Sequence, residues 1–249
     1  MRSFRLPGQD YGSPGLGYDP SREEHVVVCL GYTRLCLVTG EYAMECAVWP
    51  LRDLRPRTLA SPPPIPVAVY LPPVHVGGKM YWPGISGSGA AADAAAILVF
   101  DISTETFEVV PAPPVLLDAD GGDRMILAEL AGKLCAVHLS VNTETMTVWS
   151  KSAEGWRENV IELGQWPEFS PRTTELVMPM AVDPMDGQIL LDTGKALGYY
   201  GTRSRSLETV YSLKSQQIGD GDNGDDMLFI ATVCEDSLLR PYDRMDRVR

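Results

Sequence analysis

The chain of 249 residues is poor in the groups from which reactive sites are usually built. It has three histidines, His25, His75 and His138, each within or beside a strand-like pattern. A zinc or nucleophilic centre needs convergent His, Cys or carboxylate groups, so these three are expected in core or surface roles. The five cysteines, Cys29, Cys36, Cys46, Cys135 and Cys234, are odd in number and lack a CxxC spacing. Most sit in apolar runs, where cysteine acts as a small hydrophobe. That argues against a disulfide scaffold and for a reducing compartment, cytosol or nucleus. No apolar run approaches the roughly 18 residues that span a bilayer, and the opening MRSFRLPGQDYGSPG has no apolar h-region, so no secretory signal is expected. Positive charge is also short: Lys+Arg 21 against Asp+Glu 33 leaves a net −12 and a pI near 4.7. This opposes the electrostatic term that dominates nucleic-acid binding, so neither nucleic acid nor an anionic membrane is an expected partner.

Motifs that imitate a site lack its full pattern. Ser86 has Gly84 before it but Ser88 after it, which breaks GxSxG. GISGSGAAADAAA, with Gly87 and Gly89, has neither a strand-to-helix context nor a following Lys-Ser/Thr, and reads as a loop insertion. Asp118 to Asp123, with Glu129 at the twelfth position, imitates a calcium loop, yet Asp123 stands where the sharp turn requires glycine. DGDNGDD at 220–226 reads as a solvated acidic loop. No metal and no cofactor are expected.

Glycine and proline, 23 and 20 residues, are abundant and punctuate almost every segment. Between them a unit recurs: small-residue turn, short apolar strand, loop, aromatic-ended strand, further hairpin strand. The second unit reads PVHV, Gly77-Gly78, KMYW, ILVFD, STET, FEVV. The third reads RMILAEL, Ala131-Gly132, KLCAV, TMTVW, WRENVIEL, and the fourth LVMPMAV, DPMDG, QILL, ALGYY, TRSRS, LETVYSL. A less regular first unit runs from LGYDP through HVVVCL and ECAVW to PRTL. Gly78, Gly132 and Gly187 are 54 and 55 residues apart. Trp49, Phe100, Trp149 and Tyr200 hold one equivalent position and are read as packing residues. Repeated four-stranded antiparallel sheets with glycine and aromatic marks are the signature of propeller blades, because each sheet has two apolar faces that only neighbours can cover. The fold expected is all-β, a β-propeller with about four recognisable blades at 15–59, 73–110, 124–163 and 176–213. MLFIATV at 227–233 reads as one more strand, leaving an incomplete ring. The domain is placed at 15–240, after a disordered segment 1–14 and before a tail 241–249. SPPPIP and PAPP are read as interblade connectors.

The segments GLGYDPSREEHVVV, ECAVWPL, PPVHVGGKMYWPG, ILVFDISTETFEVVPAPP, LAELAGKLCAV, AVDPMDGQILLDTG and LGYYGTRSRSLETVYSL, in this order and spacing, resemble the plant F-box-associated domain, a kelch-related propeller. The resemblance covers about residues 15–240. It implies a kelch-like propeller that recognises protein substrates for ubiquitin ligases and is not an enzyme. The F-box that docks a Skp-type adaptor, and the strand segment after it, have no counterpart in this sequence, so adaptor or cullin binding by this chain alone is not expected. Self-association through an open sheet edge is expected instead. Rival readings are a propeller enzyme or lectin, and a truncated family member without a retained role.

Loop lengths carry one further inference. With strands a to d in each blade, the a–b and c–d turns are mostly short. The b–c and d–a connections read as mostly long: 83–96 and 138–144, then 60–72, 111–123, 164–175 and 214–226. Antiparallel order puts those on one face, where a protein partner is expected to bind. Tyr42, Trp82, His138, Asn142 and Trp166 are the expected contacts, because exposed aromatics dominate interface energetics.

Overall fold

The computed structural model describes residues 12–35, 41–52, 55–69, 71–85, 96–114, 125–174 and 176–213. Sixteen strands form four antiparallel sheets, each a simple meander, and no helix occurs among the described residues. Blade 1 holds β1 (Gly12–Asp19), β2 (Glu24–Leu35), β3 (Tyr42–Pro50) and β4 (Arg57–Thr58). Blade 2 holds β5 (Val74–Val76), β6 (Lys79–Pro83), β7 (Ala96–Asp101) and β8 (Thr106–Pro111). Blade 3 holds β9 (Met125–Leu130), β10 (Lys133–Ser140), β11 (Thr145–Ser152) and β12 (Gly155–Glu162). Blade 4 holds β13 (Met178–Val182), β14 (Ile189–Asp192), β15 (Ala196–Gly201) and β16 (Ser206–Ser212). The first strands lie side by side, β1 against β5, β5 against β9 and β9 against β13. This is the radial stacking of a kelch-like β-propeller, with the first strand of each blade innermost.

The repeat read from the sequence is therefore one sheet per unit. Two boundaries shift. β1 begins at Gly12, so Gly12, Ser13 and Pro14 belong to the first sheet rather than to a segment ahead of it. The stretch 138–144 is not a long loop: β10 continues to Ser140, and only 141–144 joins it to β11. Blade 4 is similar, with 193–195 between β14 and β15. MLFIATV, the Asp118–Asp123 run, DGDNGDD, Cys36 and Cys234 lie outside the described residues.

The turns follow from local chemistry. Gly78, Gly132 and Gly187, each in an a–b connection, have φ of 78°, 75° and 75°. This left-handed region costs glycine nothing and a β-branched residue much. The four-residue turns 20–23, 102–105, 141–144 and 202–205 each end on a non-glycine residue with positive φ, namely Glu23, Glu105, Glu144 and Arg205. Asp19 and Asp101 cap their turns, each Oδ1 accepting two backbone N–H groups, from Ser21 and Arg22 and from Ser103 and Thr104.

Three apolar cores hold the stack together, one at each blade junction. Val26, Val28, Leu30, Met44, Cys46 and Val48 of blade 1 meet Met80, Trp82, Leu98 and Phe100 of blade 2. On the other face of blade 2, Ile97 and Val99 meet Leu127, Leu134, Ala136 and Trp149 of blade 3. Val137, Leu139, Met146 and Val148 of blade 3 then meet Ile189, Leu191, Ala196 and Tyr200 of blade 4. Burying one such side chain contributes roughly 1.5–3 kcal/mol, so the junctions, rather than any single sheet, carry the stability. Phe100, Trp149 and Tyr200 occupy one position on the third strand, and each packs toward the preceding blade.

Candidate partner-binding rim

Because each blade is a meander, the b–c turns and the d–a linkers share one rim, and the a–b and c–d turns share the other. The two rims differ chemically. The a–b and c–d rim is dense in charge and is stapled across blades. Glu105 of blade 2 pairs with Arg57 of blade 1 through both guanidinium nitrogens, and Arg22 Nη1 lies 3.3 Å from Glu105 Oε1. Ser103 Oγ of blade 2 donates to Asp19 Oδ1 of blade 1 at 2.8 Å. Burial pushes the Asp19 carboxyl up, but the hydrogen bonds from Ser21, Ser103 and Arg22 outweigh it and hold the group below the usual carboxylate range. Glu105 is also held low, by Arg57 first and then Arg22.

On the opposite rim, two of the described linkers are clamped onto the blades. The linker 59–73, which contains SPPPIP, is fixed by Tyr32: its hydroxyl donates to Val67 O at 2.9 Å and accepts from Val67 N at 3.1 Å. Val67 bridges Gly84, and Ile85 N donates to Pro66 O. The linker 163–177 is fixed by Glu144. Ser170 Oγ donates to Glu144 Oε2 at 2.8 Å, Arg172 Nη1 lies 3.0 Å from Oε1, and Leu163 N donates to Glu144 O. Fully buried Phe169 pins the same linker to the blade 3–4 core.

The expected contacts separate on this scaffold. Tyr42 is exposed at 37%, its ring edge-on to Tyr32. Asn142 is exposed in the 141–144 turn, and its carbonyl accepts from Arg172 Nη2 at 3.4 Å. Trp166 is half-buried, packed on the core with its ring edge-on to Tyr200. His138 is buried inside β10 against the Trp149 ring. Trp82 is fully buried and donates from Nε1 to Ser13 Oγ at 3.2 Å. Trp82 and His138 therefore work in the core, not as exposed contacts. Both stand on second strands, which are covered on two faces, and alternation alone does not distinguish that from a half-exposed edge.

Different side chains are exposed on this rim. Ile85, Val141 and Leu176 are exposed on the linker rim at 46%, 43% and 42%. With Tyr42 they give that rim four exposed apolar side chains, one at the b–c end of each of blades 1, 2 and 3 and one in the linker leading into blade 4. Leu51 and Met185 are the large apolar residues exposed on the charged rim's turns. Single aliphatic residues at turn ends carry no sequence signal, so strand order alone brings this set together. No group of three His, Cys, Asp or Glu residues able to hold a metal occurs among the described residues. No helix there is long and apolar enough to cross a membrane.

The chain is similar to several known proteins. An F-box/LRR-repeat/kelch-repeat protein of Arabidopsis thaliana is 25% identical over 152 residues, 59% of this chain and 37% of that protein. The chain thus matches little more than a third of that relative's length. The β-propeller domain of the Trilobed protease from Pyrococcus furiosus overlays with a TM-score of 0.42 at 13% identity, covering 81% of this chain and 57% of the other. Pyrococcus horikoshii acylaminoacyl peptidase gives 0.43 at 11% identity, covering 83% and 33%. The sequence profile of the F-box associated beta propeller domain matches residues 10–191. With a match over most of its length and four stacked four-stranded sheets, the chain belongs to the F-box associated β-propeller family.

Proposed function

We propose that this chain is a non-enzymatic protein-recognition module of the F-box receptor type, which holds a protein substrate for ubiquitin transfer on its linker rim. It acts in cytosol or nucleus. One observation carries the reading: Tyr42, Ile85, Val141 and Leu176 leave apolar surface exposed on the rim whose linkers are tied down by Tyr32 and Glu144. Apolar anchors on a fixed scaffold lose little freedom on binding, which favours affinity. Asn142 and the exposed part of Trp166 border the same set.

The experiment is proximity labelling with the intact chain, followed by binding assays on the partner it identifies. Changing Tyr42, Ile85, Val141 and Leu176 together to serine should lower that partner's affinity at least tenfold while melting stays within a few degrees. Leu51→Ser with Met185→Ser, on the charged rim, should leave affinity unchanged. Binding lost on the charged rim and kept on the linker rim overturns the proposal. Partner identity is tested by the labelling and partner position by the variants.

A further inference from the structure

We propose that Ser206 is a phosphorylation site, read by an arginine-directed protein kinase at the turn 202–205 between the third and fourth strands of blade 4. Arginine and serine alternate there, as Arg203, Ser204, Arg205 and Ser206, and all four are exposed. β16 opens at Ser206 and pairs with β15, and no described strand pairs with its outer edge. A kinase can therefore approach the turn from outside the stack.

Three turns of one build supply the comparison. In 102–105, 141–144 and 202–205 the last residue has a positive φ, and a pair of hydroxyls brackets it: Thr104 with Thr106 at 2.8 Å, Thr143 with Thr145 at 2.7 Å, and Ser204 with Ser206 at 2.7 Å. In the first two turns the bracketed residue is a glutamate held by arginine, Glu105 by Arg57 and Arg22, and Glu144 by Arg172. In blade 4 it is Arg205, and neither Arg205 nor Arg203 has a salt bridge among the described residues. Two cationic side chains thus stand open beside an exposed hydroxyl, in a chain of net charge −12. A phosphate added there brings a charge of roughly −1.5 to −2 and three acceptor oxygens, for which guanidinium groups are the matching donors.

The two serines are not equivalent. Ser204 Oγ is tucked into the turn: it donates to Gly201 O at 3.4 Å, and a Cβ at Gly201 would collide with it. Ser206 precedes Leu207, which packs on the blade 3–4 core, so strand alternation points the Ser206 hydroxyl away from that core. Arginines stand one and three positions before Ser206, where an acidic kinase cleft takes them by charge complementarity. In the reaction Ser206 Oγ attacks the γ-phosphorus of ATP, the bond to the β,γ-bridging oxygen breaks and ADP leaves. The hydroxyl proton passes to the catalytic aspartate of the kinase.

Phosphorylation of the intact chain tests this, with Mg-ATP and the catalytic subunit of the cyclic-AMP-dependent kinase as the arginine-directed probe. Peptide mapping by mass spectrometry should place phosphate on Ser206, and Ser206→Ala should remove it. Arg203→Gln should lower the initial rate at least tenfold with an unchanged thermal melt, whereas Ser204→Ala should leave the rate within twofold. Thr106, in a turn of the same shape but preceded by Glu105, should stay unmodified. Phosphate on Ser204 or Thr106 in place of Ser206 would overturn the proposal. So would an unchanged rate for Arg203→Gln, or no incorporation by a kinase preparation that modifies an arginine-containing control peptide.

Discussion

The indole of Trp82 and the hydroxyl of Ser13 meet inside the blade 1–2 core, Nε1 donating to Oγ at 3.2 Å, and that hydroxyl donates in turn to Leu71 O at 2.8 Å. A single serine thus ties the innermost strand of one blade to the second strand of the next and to the linker between them. Ser13→Ala leaves the buried indole N–H without its acceptor and should cost about 1–3 kcal/mol. Ser204→Ala, in an exposed turn, should stay within about 0.5 kcal/mol. Urea denaturation followed by tryptophan fluorescence compares the two, and equal midpoints would mean that the relay does not contribute.

Gly132 and Gly187 both have φ of 75°, and a Cβ built on either meets nothing within 4 Å. Substitution there is a test of backbone conformation without steric crowding. Gly132→Val and Gly187→Val should each destabilise by about 1–3 kcal/mol, and Gly132→Asn by clearly less, since asparagine tolerates this region. Thermal melts of the three variants would decide it.

Acid should loosen the blade 1–2 rim first. Asp19, Asp101 and Glu105 all have folded-state pKa values below their ordinary ones. Each contributes stability that is fully present above the unfolded pKa, about 4, and is lost as pH falls through the folded value. The urea midpoint should therefore hold steady near neutrality and fall below about pH 4–5. Glu105→Gln should flatten that fall, and an unchanged acid limb would remove the ion pairs from the explanation.

Buried thiols should be silent in the native state. Burial pushes Cys46 up to about 12 and Cys135 up to about 11, and it raises Cys29 as well. Alkylation at pH 8, mapped by mass spectrometry, should leave these three unmodified until denaturant is added. Native-state labelling of Cys46 would show that blade 1 opens readily.

The sequence by itself determined the repeating unit. Strand alternation, the glycines at positive φ and the third-strand aromatic are local requirements of a four-stranded meander, so they recur wherever a blade recurs. Four sheets and three of the four aromatic packing positions were legible for that reason. Net charge could likewise be read directly, since it is a property of the chain. The proposed binding rim was only half legible. Strand order predicted which connections share a face, but Trp82 and His138, aromatic and near loops in the sequence, are buried because neighbouring blades cover both sides of their strands. Tertiary structure also supplied the clamps, Tyr32 on Val67 and Glu144 on Ser170 and Arg172, which join residues 35, 26 and 28 positions apart. Such pairings are set by how one sheet stacks on the next, and that stacking depends on side-chain fit between blades, which no periodicity within a blade encodes.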